Sequence, residues 1–89
     1  MGGFESARLL REMQEPRDVP IRELTIRLGQ LLKLAGLAES GGEARSLVLG
    51  GAARVNGEVE TRRGRQLHAG DLVCVEGDTV RVTRTAATP

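Results

Sequence analysis

The sequence predicts an α+β domain in which two short helices pack on a small, mainly antiparallel sheet. Three observations carry this. Leu28, Leu31, Leu32 and Ala35 recur at i, i+3, i+4 and i+7, which lays one apolar stripe along a helix. Ser40 stands three residues before Glu43, the spacing at which the hydroxyl accepts the Glu43 amide and the carboxylate reaches back. After Gly51 the apolar period falls to two, and Asn56-Gly57 and Gly77-Asp78 supply turn signals.

Taken in order, the chain opens on a segment with weaker patterning. Phe4, Ala7, Leu10 and Met13 recur every three residues and drift around a helical wheel, and Pro16 and Pro20 then punctuate the chain. Residues 1–20 are therefore expected to be an appendage or linker, helical in part. The domain itself is expected over 21–84, with 85–89 a frayed tail. Residues 21–26 read as a short strand. The first helix is expected over 28–37, with Lys33 opposite the stripe and Gly36 as terminator. The second starts at Ser40, buries Ala44, Leu47 and Val48, and stops at Gly50-Gly51, which can adopt the left-handed conformation.

Two hairpins follow. A two-residue loop at Asn56-Gly57 would pair Val55 with Glu58. A three-residue loop, Asn56-Gly57-Glu58, pairs Val55 with Val59 and is preferred because it keeps both valines on one face. In the second hairpin a two-residue Gly77-Asp78 loop sets Val75 against Val80 and Val73 against Val82, and a glycine in the first central position suits a type II′ turn.

Composition narrows the function. Eighty-nine residues suffice for one small domain, and Phe4 is the only aromatic, so the core is aliphatic. Recognition by stacking bases on aromatic platforms is thereby disfavoured, leaving phosphate, sugar and shape as the nucleic-acid features to read. Cys74 and His68 are the only members of their kinds, so neither a cysteine-based nor a histidine-based metal site is expected. No Ser or Cys sits in the context of an activated nucleophile. Gly41-Gly42 is not followed by a Lys-Ser/Thr pair, so nucleotide binding is not expected either. The reading is of a protein that is not an enzyme and takes no cofactor. With no apolar run near the roughly 20 residues needed to cross a bilayer, and no signal-peptide pattern, the expected compartment is the cytoplasm.

The net charge is only +1, with a net of −1 over residues 1–21, yet Arg62, Arg63 and Arg65 stand together without an acidic neighbour between 61 and 70. Guanidinium groups offer a planar fork of donors that stays charged and pairs with phosphate oxygens. A local patch on a near-neutral body suits selective binding of a polyanion better than indiscriminate binding.

The order of motifs from Arg27 to about Val75 resembles the S-four-type, or alpha-L, RNA-binding domain. The residues that carry the likeness are Arg27-Leu28-Gly29-Gln30-Leu31-Leu32-Lys33, Ser40-Gly41-Gly42-Glu43-Ala44-Arg45-Ser46-Leu47-Val48, Gly51-x-x-Arg54-Val55-Asn56-Gly57 and Gly70-Asp71. Thr61-Arg62-Arg63-Gly64 is similar to small free-standing bacterial members. The resemblance implies a helix pair on a small curved sheet that binds structured RNA, ribosomal RNA or tRNA, across the helices and the adjoining loop. It implies a monomer, working alone or beside an RNA-processing or ribosomal protein. Arg62, Arg63 and Arg65 would clamp phosphates while Arg27, Lys33 and Arg45 fix the register of the helix face. Many members carry an acidic residue at the position of Gly29 and a basic one at the position of Gly41; the free-standing branch often shares both changes, and one phosphate ligand of the wider family's contact scheme is missing here. The competing reading is a protein-interaction adaptor whose basic loop meets an acidic partner, with Leu34 and Leu49 as apolar contacts.

Overall fold

The computed structural model describes residues 16–85. The elements run β1 (Arg17–Ile21), β2 (Thr25–Arg27), α1 (Leu28–Leu34), α2 (Gly41–Leu49), β3 (Ala53–Val55), β4 (Glu58–Val59), β5 (Gln66–His68), β6 (Leu72–Val75) and β7 (Asp78–Arg84). Five strands form one sheet in the order β1-β7-β6-β3-β4, and β2 and β5 make a separate antiparallel pair. Among the described residues only the β1–β7 pairing is parallel. None of the described helices is long and apolar enough to cross a membrane.

The helix pair forms where the stripes predict. Leu28, Leu31 and Leu32 of α1 are fully buried, as are Ala44 and Val48 of α2, and they share one core with the inward residues of the sheet. The stripe extends past the helix to Ala35, because α1 stops at Leu34 instead of running to Leu37. Gly36, at φ 76°, ends it: the Gly36 amide donates to the Lys33 carbonyl and the Leu37 amide to Leu32, a Schellman closure. At the head of α2 the Ser40 hydroxyl accepts the Glu43 amide at 3.1 Å, while the Glu43 carboxylate accepts from the Glu39 amide. Gly51, at φ 81°, supplies the left-handed stop of α2.

Three expectations about strands are corrected. The first concerns the N-terminal boundary. Residues 17–20, assigned to the appendage, belong to β1, which continues to Ile21, and Val19 and Ile21 are core residues. Val19 lies in register with Val82 and Ile21 with Arg84. Pro20 is tolerated because β1 is an edge strand, where a missing N–H costs no ladder bond. The strand expected over 21–26 is in fact broken by a bend at 22–24, after which Thr25–Arg27 pairs with β5. The rest of the expected appendage, residues 1–15, and the tail beyond residue 85 lie outside the described residues.

The second correction is the register of the first hairpin. Val55 pairs with Glu58 and Arg54 with Val59 around a two-residue Asn56-Gly57 loop. Both loop residues have positive φ, 53° and 89°, the type I′ geometry whose twist matches the strands. The Asn56 side chain then fixes the turn to β6, accepting from the Leu72 amide at 2.9 Å and donating to Asp71 at 3.1 Å. Val59 consequently points away from the core and is half exposed.

The third is the second hairpin, whose loop is Glu76-Gly77, with φ of 52° and 88°. Val73 faces Val80 and Val75 faces Asp78. All four valines, Val73, Val75, Val80 and Val82, still lie in the core, since a shift of two residues leaves every side chain on its original face.

Candidate nucleic-acid interface

The loop from Glu60 to Arg65 leaves β4 and returns along the start of α1. Arg27, the N-cap of α1, offers no side-chain cap. The loop does that work instead: the Arg65 carbonyl accepts the Leu28 amide at 2.8 Å and the Arg63 carbonyl accepts the Gly29 amide at 3.0 Å. Two of the amides that a helix start leaves unpaired are thereby satisfied. The loop is tied to the helix by its backbone, and its side chains are left to other tasks.

Those tasks divide. Glu60 lies on the core side of β4, because Val59 before it faces outward, and its exposure is only 7%. Its carboxylate accepts from Arg62 Nε at 3.0 Å, Arg62 Nη2 at 3.1 Å, the Arg62 amide at 2.9 Å and Arg65 Nη1 at 2.8 Å. The hydrogen bonds from Arg62 first, and from Arg65 next, hold the Glu60 carboxyl down at about 2 against the opposing effect of burial. The same carboxylate raises the pKa of the Arg62 guanidinium. Arg62 nevertheless keeps 74% of its side chain exposed, whereas Arg65 keeps 36%.

Arg63 goes elsewhere. Its stem crosses α1 at Gly29, where a Cβ would stand 2.8 Å from Arg63 Cγ. The glycine that departs from the acidic family pattern is thus the position over which Arg63 passes. Beyond it opens a cleft of about 310 Å³ lined by Arg27, Gly29, Gln30, Lys33, Gly41, Ala44, Arg63 and Gly64. Among the described residues three cations border it and no carboxylate does. Gly41, the first residue of α2, has open space where a side chain would project, so the wall there is bare backbone at a helix start.

Of the six residues singled out in the sequence, the structure therefore gathers Arg27, Lys33 and Arg63 at one cleft. Arg62 and Arg65 are held by Glu60 beside it, and Arg45 is exposed on α2 without lining it. Sequence reasoning missed Glu60 and Gly29 as parts of the arrangement. The available signal was Glu60-x-Arg62, a carboxylate two residues before an arginine.

A second polar knot lies at the turn before β6. Burial pushes the Asp71 carboxyl up, but hydrogen bonds from the His68 amide and Asn56, together with the His68 and Arg65 charges, outweigh this and hold it below its ordinary value. Asp71 is a turn-fixing residue, as its position after Gly70 predicts.

Fold and sequence together define the class. Residues 19–83 match the family model of the S4 domain, and the chain belongs to that family. It is 48% identical over 65 residues to a protein of Bacillus subtilis named as a probable ribosome maturation protein, RlbA, covering 73% of this chain and 89% of that one. It is 40% identical over 57 residues to the putative RNA-binding protein YbcJ of Escherichia coli, covering 64% and 81%. The solution structure of YbcJ, described as revealing an alpha-L motif involved in RNA binding, superposes with a TM-score of 0.61 at 33% identity, over 80% of this chain and 91% of that one. The two-helix, mixed-sheet architecture is that of the alpha-L motif.

Proposed function

We propose that this protein is a non-catalytic RNA-binding module that seats the phosphate backbone of structured RNA in the cleft between α1, α2 and the 60–65 loop. One observation carries the reading: Arg27, Lys33 and Arg63 converge on a cleft that, among the described residues, no acidic side chain lines. Guanidinium and ammonium groups so placed would recognise phosphate by charge-assisted hydrogen bonds. Arg62 and Arg65 would add charge from a fixed position, and Arg45 would touch the RNA at the margin. Ribosomal RNA, with tRNA next, is the class favoured by the ribosome-maturation relative. The same reading has the protein act in the cytoplasm as a monomer, alone or beside an RNA-processing or ribosomal protein.

The test is a titration of bacterial ribosomal RNA and of tRNA at several salt concentrations. In Arg27→Ala/Lys33→Ala/Arg63→Ala, three charge-assisted contacts at about 1 kcal/mol each amount to a loss on the order of 100-fold in affinity. The slope of log affinity against log salt should flatten by roughly 2–3, at about 0.7–0.9 per phosphate contact. Wild-type affinity and slope in the triple variant would reject the cleft and favour the adaptor reading, for which Leu34 and Leu49 are both more than half exposed.

A further inference from the structure

We infer that two residues with no side-chain donor for phosphate position Arg63 for the cleft: Glu60, whose carboxylate braces the loop, and Gly29, whose missing side chain lets Arg63 cross α1. This rests on the RNA-binding reading above and deepens it.

The position of Glu60 is an apparent paradox. A carboxylate placed between arginines in a phosphate-binding loop should weaken the site, since like charge repels the ligand. Yet Glu60 is nearly buried and makes four hydrogen bonds to Arg62 and Arg65. Arg65 and Arg62 are the two ends of the turn that holds Arg63, closed by the Arg65 amide donating to the Arg62 carbonyl at 3.1 Å. Gripping both ends fixes the turn. The turn in turn aims the Arg63 carbonyl at the Gly29 amide and its side chain across Gly29. Order in the loop is set before any ligand arrives, which lowers the entropic cost of binding. The side-chain stem of Arg63, not its flexible tip, is what a Cβ at position 29 would strike, so any larger residue there must redirect the arginine.

The expected results run against simple electrostatics. Glu60→Gln raises the net charge from +1 to +2, so a charge-counting view expects tighter RNA binding. The positioning role expects weaker binding, by about fivefold or more, because the neutral amide cannot hold both guanidinium groups. Gly29→Ala changes no charge and favours helix, yet should weaken binding to about the extent of Arg63→Ala. The double variant Gly29→Ala/Arg63→Ala should lose no more than Arg63→Ala alone, the non-additivity expected when one residue acts through another.

All four variants are titrated with bacterial ribosomal RNA, in parallel with thermal unfolding. Arg63→Ala is the control that separates the two levels. If Arg63→Ala binds like wild type, the cleft reading falls and the positioning role falls with it. If Arg63→Ala is weak while folded Glu60→Gln and Gly29→Ala bind as wild type or more tightly, the cleft stands and the positioning role is overturned. Should Glu60→Gln fail to fold, Gly29→Ala and its double variant decide the question alone.

Discussion

The Glu60 network and the cleft beside it draw on arginines of the same loop, but they use charge in opposite ways. Arg62 and Arg65 close on a buried carboxylate, which takes two guanidinium donors of the first and one of the second and holds both side chains in place. Arg27, Lys33 and Arg63 border open space, and none has a carboxylate partner among the described residues. The difference shows that a run of arginines is not one unit of charge. Burial of a single neighbouring carboxylate decides which members are held in a fixed place and which reach into the cleft.

The largest effect is expected from deleting residues 1–20. That cut removes Arg17–Pro20 from β1, including buried Val19, and leaves the β7 edge facing solvent. Burying one such valine contributes about 1.5–3 kcal/mol, and the lost parallel ladder adds to it. For a domain of this size the thermal midpoint should fall by on the order of 10 °C or more. Deletion of residues 1–15 retains β1 and serves as the control. An unchanged midpoint for the longer deletion would show that β1 is dispensable, and that the two cation groups rest on a smaller frame.

Next come the helix stripes. Leu31→Ala or Val48→Ala empties a fully buried site between the helices and the sheet. Each should destabilise by about 2–5 kcal/mol for the leucine and toward the lower end for the smaller valine. Denaturant unfolding would measure this. RNA binding should survive wherever the variant remains folded, because neither side chain lines the cleft.

What was legible in the sequence follows a physical divide. The helix pair could be read because a 3.6-residue stripe and a capping pair are local signals. The hairpin registers could not, since the hydrophobic pattern fixes only the face. A two-residue slip in β6–β7 keeps all four valines inward, so only the turn chemistry of Glu76-Gly77 could decide it, and an unassisted glutamate at φ 52° gives no warning. The preferred register at Asn56 had a further cost. Pairing Val55 with Val59 would turn Glu60 outward, whereas the observed pairing turns it inward to meet Arg62 and Arg65. One misplaced residue in a turn thus hid the organising group of the loop. β1 was hidden differently: its partner β7 lies some 60 residues away, and Pro16 and Pro20 dominated the local reading. Arg27, Lys33 and Arg63 were visible as cations, but their convergence depends on contacts between distant segments.

Acid should act on the two regions unequally. Glu60 has its carboxyl at about 2 in the folded protein against 4.5 ordinarily, so the unfolded chain takes up its proton first as pH falls. The network's stabilisation is therefore complete above about pH 4.5 and is lost progressively as the pH drops toward 2. Asp71 is depressed as well and contributes in the same sense. Urea midpoints of wild type and Glu60→Gln should differ most at pH 6 and draw together progressively as the pH falls from about 4.5 toward 2. A gap that stays constant from pH 6 to pH 2.5 would mean that the ionised carboxylate contributes nothing to the loop.

The smallest effect should come from Arg45→Ala, and it is the most useful for drawing the border of the cleft. Arg45 is exposed on α2, one residue beyond Ala44, which does line the cleft, and its side chain has no carboxylate partner among the described residues. It is as charged as Arg63, so a reading based on net charge alone expects the two substitutions to cost the same. Position argues otherwise. Contact at the margin of the RNA would be solvent-exposed and screened, and exposed pairs of this kind contribute about 0–1 kcal/mol. Arg45→Ala should therefore weaken RNA binding by no more than about threefold, and even less above 0.2 M salt, while Arg63→Ala loses about fivefold or more and shifts the salt slope by roughly one contact. Measuring both variants against the same ribosomal RNA over one salt series makes the comparison direct. Equal losses with equal slopes would extend the interface across the outer face of α2 and dissolve the distinction between cleft and margin.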